Sequence, residues 1–128
     1  MNSLYHAELI EHYKASVYRR VIAAPTIQFS DLNPSCGDKL TVMILLNADN
    51  IADIAFQGSG CVISQAAMSM LCENVENKQM DDVLKLDESD ILSLINIELG
   101  PVRMKCATLG LHVVQQAIKI WQKEHDAK

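Results

Sequence analysis

The sequence predicts an α+β fold, a small antiparallel three-stranded sheet packed on one face by several α-helices. Three observations carry this. Strand-like runs cluster between residues 26 and 57, helix-like periodicity flanks them, and the longest helical pattern closes the chain. Strands gathered together and helices gathered after them define such segregation.

Each element has its own warrant. Over residues 3–20, Ile10, Tyr13 and Val17 recur at helical spacing, with His6 or Ala7 one turn earlier. Ser3 suits the cap, and Pro25 forbids further helix. Thr26–Asp31 and the apolar run Lys39–Leu46 read as strands. Ile51–Gln57 alternates, with Ala52, Ile54 and Phe56 on one side and Asp53, Ala55 and Gln57 on the other. Asn47-Ala48-Asp49-Asn50 supplies turn residues for a hairpin. Gly58-Ser59-Gly60 breaks the last strand. A helix then starts near Cys61 and runs to about Glu76, with Ile63, Ala66, Met70 and Val75 on its buried stripe. Residues 80–97 read as one or two short helices capped by Asp87. After Gly100-Pro101, a helix from about Arg103 to Lys123 presents Ala107, Leu111, Val114, Ile118 and Trp121 at alternating spacings of four and three.

The 128 residues are the size of one ordinary domain, read here as a single domain over 1–128. A net charge of −5 with no basic stripe argues against a nucleic-acid partner. The longest apolar run, Val42–Leu46, is far too short for a bilayer, so no membrane partner is expected. The N-terminal residues lack the basic and apolar regions of a secretory signal, which predicts a cytoplasmic protein with reduced cysteines.

Three of the four cysteines fall at the ends of predicted elements. Cys36 and Asp38 share the loop Asn33-Pro34-Ser35-Cys36-Gly37-Asp38, Cys61 closes Gly58-Ser59-Gly60, and Cys106 falls in the first turn of the last helix. Turns at element ends aim side chains, and helix starts favour anions such as thiolate. Three thiolates and a carboxylate make four ligands, enough for zinc or an iron–sulfur cluster edge. The spacings alone do not choose. There is no C-x-x-C pair, and free cysteines also serve as small buried hydrophobes, the reading given to Cys72. His6, His12, His112 and His125 match no ligand spacing, and no H-E-x-x-H supports a zinc hydrolase.

The three motifs together go further. Asn33-Pro34-x-Cys36-Gly37-Asp38, Gly58-x-Gly60-Cys61-x-Ile63-Ser64 and Arg103-x-Lys105-Cys106-Ala107-Thr108-Leu109 resemble, in order, the U-type iron–sulfur assembly family of IscU, SufU and the NifU N-terminal domain. The resemblance runs from about Tyr5 to Trp121. It implies that Cys36, Asp38, Cys61 and Cys106 bind zinc, iron or a transient [2Fe–2S] cluster, and that Cys106 is a candidate persulfide acceptor. It implies a cysteine desulfurase and iron–sulfur client or carrier proteins as partners, and a scaffold or sulfur-transfer protein rather than a conventional enzyme.

Two departures shape the expectation. Scaffolds of the IscU type carry histidine where this chain has Lys105, and Lys-Cys-Ala-Thr-Leu looks like SufU, a zinc-dependent sulfur acceptor that stimulates its desulfurase. Yet the 45 positions from Cys61 to Cys106 match the shorter IscU spacing. Leu99-Gly100-Pro101-Val102-Arg103 replaces the Leu-Pro-Pro-Val-Lys of scaffolds served by a dedicated chaperone. Lys105 and Arg103 could also tune the neighbouring thiolate, a cation lowering its pKa, or serve only as solvated surface charge.

Overall fold

The computed structural model describes residues 3–33 and 37–126. Its elements are α1 (Ser3–Ala15), β1 (Ile27–Asn33), β2 (Asp38–Asn47), β3 (Asn50–Ser59), α2 (Val62–Val75), α3 (Met80–Leu84), α4 (Glu88–Ile95) and α5 (Pro101–Asp126). The strands form one antiparallel sheet in the order β1-β2-β3. The α+β reading holds.

Parity along the strands builds the core. Leu40, Val42 and Ile44 of β2 face the same side, fully buried, with Ile27 and Phe29 opposite them on β1 and Ile54 and Phe56 on β3. Helices α2 and α5 close that side. They approach closely where Gly110 meets Met68, for a Cβ at Gly110 would come within 2.7 Å of the Met68 sulfur.

Helix α2 is buried nearly all round, from Ile63 through Cys72, not along one stripe. A central helix sandwiched between α1, α4, α5 and the sheet has no solvent face to keep polar. Trp121 is only half-buried at the far end of α5, while Ala107, Leu111, Val114 and Ile118 take their expected core places. Asp87 caps α4 as expected, in a reciprocal capping box with Asp90.

Five expectations need correction. Helix α1 stops at Ala15, because the Ser16 hydroxyl accepts the Tyr18 amide and draws the chain into a turn. Ser3 already lies within that helix rather than before it. Val17 is therefore no core residue but 74% exposed, and Leu9 is the buried anchor of α1. In β3 the register slips between Leu45 and Leu46, so that Ala52 is an extra residue. This bulge lets Ile51 and Ile54 both point inward, two places that simple alternation assigned to opposite sides. The strand also continues to Ser59, past the expected break at Gly58.

The segment after α1 is fastened to the β3 edge. The Phe56 amide donates to the Tyr18 carbonyl at 2.9 Å, and Arg19 lies over the rings of both Tyr13 and Phe56. Arg20 pairs with Asp53 through its two terminal guanidinium nitrogens, at 2.6 and 3.2 Å. A polar joint holds α1 to α2, with His12 Nδ1 2.8 Å from the Ser69 hydroxyl and Ser16 Oγ 2.5 Å from it.

Replacing Ile54 by alanine should remove about 2–5 kcal/mol of stability by leaving a cavity in this core. Urea unfolding checks it, the midpoint falling with the slope unchanged. Tyr18 gives a pH-dependent test. Burial, helped by donation of its hydroxyl to Glu76, pushes its pKa up to about 12. An unfolded tyrosine titrates near pH 10. The folded state therefore holds the phenol proton more tightly. That stabilisation is complete below about pH 10 and is lost as pH rises toward 12. Urea midpoints across this range should fall less for Tyr18→Phe than for the native residue. The comparison belongs in a Cys72→Ala background, because burial also pushes the Cys72 thiol up.

Candidate metal centre

One end of the sheet carries the candidate ligands. Asp38 opens β2 opposite Asn33, on the same side of the strand as Leu40, so its carboxylate points toward the helices. The preceding Gly37 has φ +73°, the left-handed conformation that turns the chain from β1 into β2. Cys36 lies outside the described residues.

Cys61 is the N-cap of α2. Its sulfur accepts the Ser64 amide at 3.4 Å, in the manner of a capping serine hydroxyl. The Ser64 hydroxyl donates to the Cys61 carbonyl, and the Gln65 side-chain amide donates to the carbonyl of Gly60. Both side chains are buried and secure the loop from below. Only Ser64 stood in a recognisable motif. Nothing in the sequence marks Gln65, whose part depends on the turn it faces.

The helix and strand ends are joined through Asp38. Its Oδ1 accepts the Cys61 amide at 2.8 Å, and its Oδ2 lies 3.9 Å from the Cys61 sulfur. Gly60 makes this possible in two ways. It adopts φ +133°, and any Cβ there would overlap the Asp38 carboxylate.

Cys106 arrives from α5. That helix starts at Pro101, where the ring suits the first helical position, two residues earlier than the expected start at Arg103. Cys106 is thus the sixth helical residue rather than part of the first turn, beyond the reach of the partial charge at the helix start. What places it is packing. It is 3% exposed, on the α5 face turned toward the sheet.

Asp38, Cys61 and Cys106 each offer a ligand atom within 4.8 Å of the others, with Cys61 exposed and the other two buried. A tetrahedral zinc ion held by sulfur and oxygen spaces its ligands about 3.5–3.8 Å apart. The 3.9 Å between Asp38 and Cys61 is already close to that. The donor set fits a thiophilic metal that also tolerates a carboxylate, such as zinc or ferrous iron. Arg103 and Lys105 stand exposed on the flank of α5 beside the site.

The remaining candidates fall elsewhere. Cys72 is fully buried in the core, and burial raises its pKa so that it stays a thiol, as its packing role requires. Among the described residues the histidines join no metal-ligand group. His12 bonds Ser69, His112 lies 3.3 Å from Asp31, and His125 stacks on Trp121.

An α+β domain that gathers two thiols and a carboxylate at one sheet end offers a candidate cysteine-based metal centre. The model of the NifU-like N-terminal domain matches residues 4–128, and the chain belongs to that family. It is similar to the zinc-dependent sulfurtransferase SufU of Bacillus subtilis, 27% identical over 135 residues spanning 92% of this chain and 91% of that protein. It is 31% identical to the iron–sulfur cluster assembly scaffold protein IscU of Streptococcus pyogenes, over 93% of this chain and 85% of that one. A solved structure of a scaffold protein for the SUF system from Fervidobacterium islandicum superposes with a TM-score of 0.73 at 25% identity, covering 87% of this chain and 93% of that one. A NifU-like N-terminal domain from Brucella abortus shares the fold, with a TM-score of 0.75 at 18% identity over 94% and 95% of the two chains. Among the described residues, no helix is long and apolar enough to cross a membrane.

Gly60→Ala should weaken metal binding about tenfold or more, since an outer contact that orients a ligand carries that much affinity. Titration with cobalt(II), followed by its thiolate absorption, measures this. Asp38→Ala should weaken binding by at least as much, because it removes a ligand and the acceptor that holds the Cys61 amide.

Proposed function

We propose that this chain is an iron–sulfur cluster assembly scaffold that takes sulfur from a cysteine desulfurase. Iron or a transient [2Fe–2S] cluster is its cargo, carried on Cys36, Asp38, Cys61 and Cys106 before release to client or carrier proteins. The observation that carries the reading is the convergence of Asp38, Cys61 and Cys106 within 4.8 Å of one another. Similarity to proteins named as IscU scaffolds supports it.

The chemistry follows from the ligand types. A cysteine thiolate attacks the outer sulfur of the donor's persulfide, the donor's inner sulfur leaves as a thiolate, and a new persulfide stands on the scaffold. Cys106 is the proposed acceptor, with Lys105 and Arg103 favouring its thiolate form. Its burial means that the site must open for transfer, whereas Cys61 is exposed to an arriving donor. Asp38 is a harder ligand than thiolate, and a carboxylate among thiolates keeps the cargo releasable.

A second reading has its own support. The first residue before the last cysteine is Lys105, and the chain is similar to a zinc-dependent sulfurtransferase. On this reading zinc holds the four ligands until the desulfurase engages, and a persulfide is the only cargo.

One anaerobic experiment separates the two. The protein is incubated with ferrous iron, cysteine and a cysteine desulfurase, then desalted, and iron, zinc and acid-labile sulfide are counted per chain. A scaffold retains stoichiometric iron and sulfide, and loses them in Cys36→Ser, Cys61→Ser or Cys106→Ser. Retained zinc with a stimulated desulfurase and no sulfide supports the relay. Neither cargo nor stimulation overturns both.

A further inference from the structure

The net charge of −5 is concentrated in one segment. Residues 80–98 hold six of the sixteen acidic residues and one of the eleven basic ones, so the other 109 residues carry ten of each. All six carboxylates, Asp81, Asp82, Asp87, Glu88, Asp90 and Glu98, belong to exposed residues. Acidic surface alone defines no site, but here it borders a groove. A depression of about 330 Å³ lies between the start of α4 and α5, bounded by Asp87 and Glu88. A second, of about 280 Å³, opens beside the metal centre against Asn33 and Lys105. Thr108 and His112 line both, so the two form one track along α5.

The two ends of the track differ in charge. Asp87 and Glu88 stand at its far end, Asp31 pairs with His112 at the junction, and Lys105 stands next to Cys106 at the near end. Leu32, 51% exposed, gives the near end an apolar wall. An open groove of this kind suits an extended polypeptide better than a rigid body, and the carboxylates at its far end favour a basic side chain there.

We propose that the track between α4 and α5 receives an extended segment of the sulfur-donating partner, with a basic side chain set against Asp87 and Glu88 and its leading end delivered to Cys106. The inference rests on the sulfur-accepting reading above and adds to it the route and charge of the approach. The acidic segment draws the partner's basic side chain in, and the groove then fixes the direction of the segment toward the cysteines. Charge matching of this kind acts mostly on the rate of encounter and weakens with salt.

The test compares the native chain with Glu88→Lys, Thr108→Trp and, as a control of equal charge change at the other end of α5, Glu124→Lys. Each is first checked for native circular dichroism and cobalt binding, which the track does not govern. Affinity for a cysteine desulfurase and the rate of persulfide formation are then measured at low and high salt. Glu88→Lys should weaken desulfurase binding about tenfold at low salt and less at high salt. Thr108→Trp should block the junction at both salt concentrations, and Glu124→Lys should behave as the native chain. Native sulfur transfer with Glu88→Lys and Thr108→Trp unaffected would overturn the track while leaving the sulfur-accepting reading intact. Equal losses in Glu88→Lys and Glu124→Lys would reduce the effect to net charge and also overturn it. A native chain that takes no sulfur removes the parent reading, and the track with it.

Discussion

The site depends on one hydrogen bond, from the Cys61 amide to Asp38 Oδ1. It joins the start of β2 to the start of α2, two elements that are far apart in sequence, and the Cys61 sulfur adds a longer contact, 3.9 Å, to the other oxygen of the same carboxylate. Gly60 exists in the form it does because of that bond, since no side chain fits between the loop and the carboxylate. Because Oδ1 is engaged by the amide, Oδ2 is the oxygen turned toward the sulfur. The carboxylate is therefore both strut and candidate ligand. Cys106 needs no such strut, because core packing along α5 sets its place.

Around this point the fold is a support. The sheet supplies parity, which turns Asp38 to the helical side together with Leu40 and Val42. Helix α2 supplies a buried shaft that cannot tilt without disturbing Met68 against Gly110. Helix α5 presents Cys106 inward and Lys105 outward from adjacent positions. Burial and exposure of neighbouring residues on one helix thus divide the candidate ligand from solvent-facing charge.

Much of this was legible in residue order. The strand runs, the helical spacing of α5 and the Asp87 cap are local patterns, and each declares itself within a few residues. The cysteine motifs were legible only when taken together, because no pair has a short metal spacing. What the sequence concealed was mostly tertiary. The bulge at Ala52 depends on strand pairing with Leu45 and Leu46. The end of α1 at Ala15 depends on a side-chain bond from Ser16 that helical periodicity cannot register. Burial on every side of α2 depends on what packs around it. The early start of α5 moved Cys106 out of the first turn and exchanged an electrostatic explanation of its position for a packing one. Gln65 carried no mark at all, since its use is to hold a carbonyl whose orientation appears only in the folded turn.

The sulfur cap on α2 would give the two proposed cargoes different mechanical signatures. A metal-bound thiolate keeps its charge on the atom that faces the Ser64 amide, so loading with metal leaves the first turn of the helix capped. If Cys61 instead carried a persulfide, the charge would move one bond outward, to the terminal sulfur, and the amide would face a nearly neutral atom. The start of the most deeply buried helix would then loosen in one state and stay closed in the other. Amide exchange at Ser64 would register which kind of sulfur the site holds, making the helix an internal gauge of its own cargo.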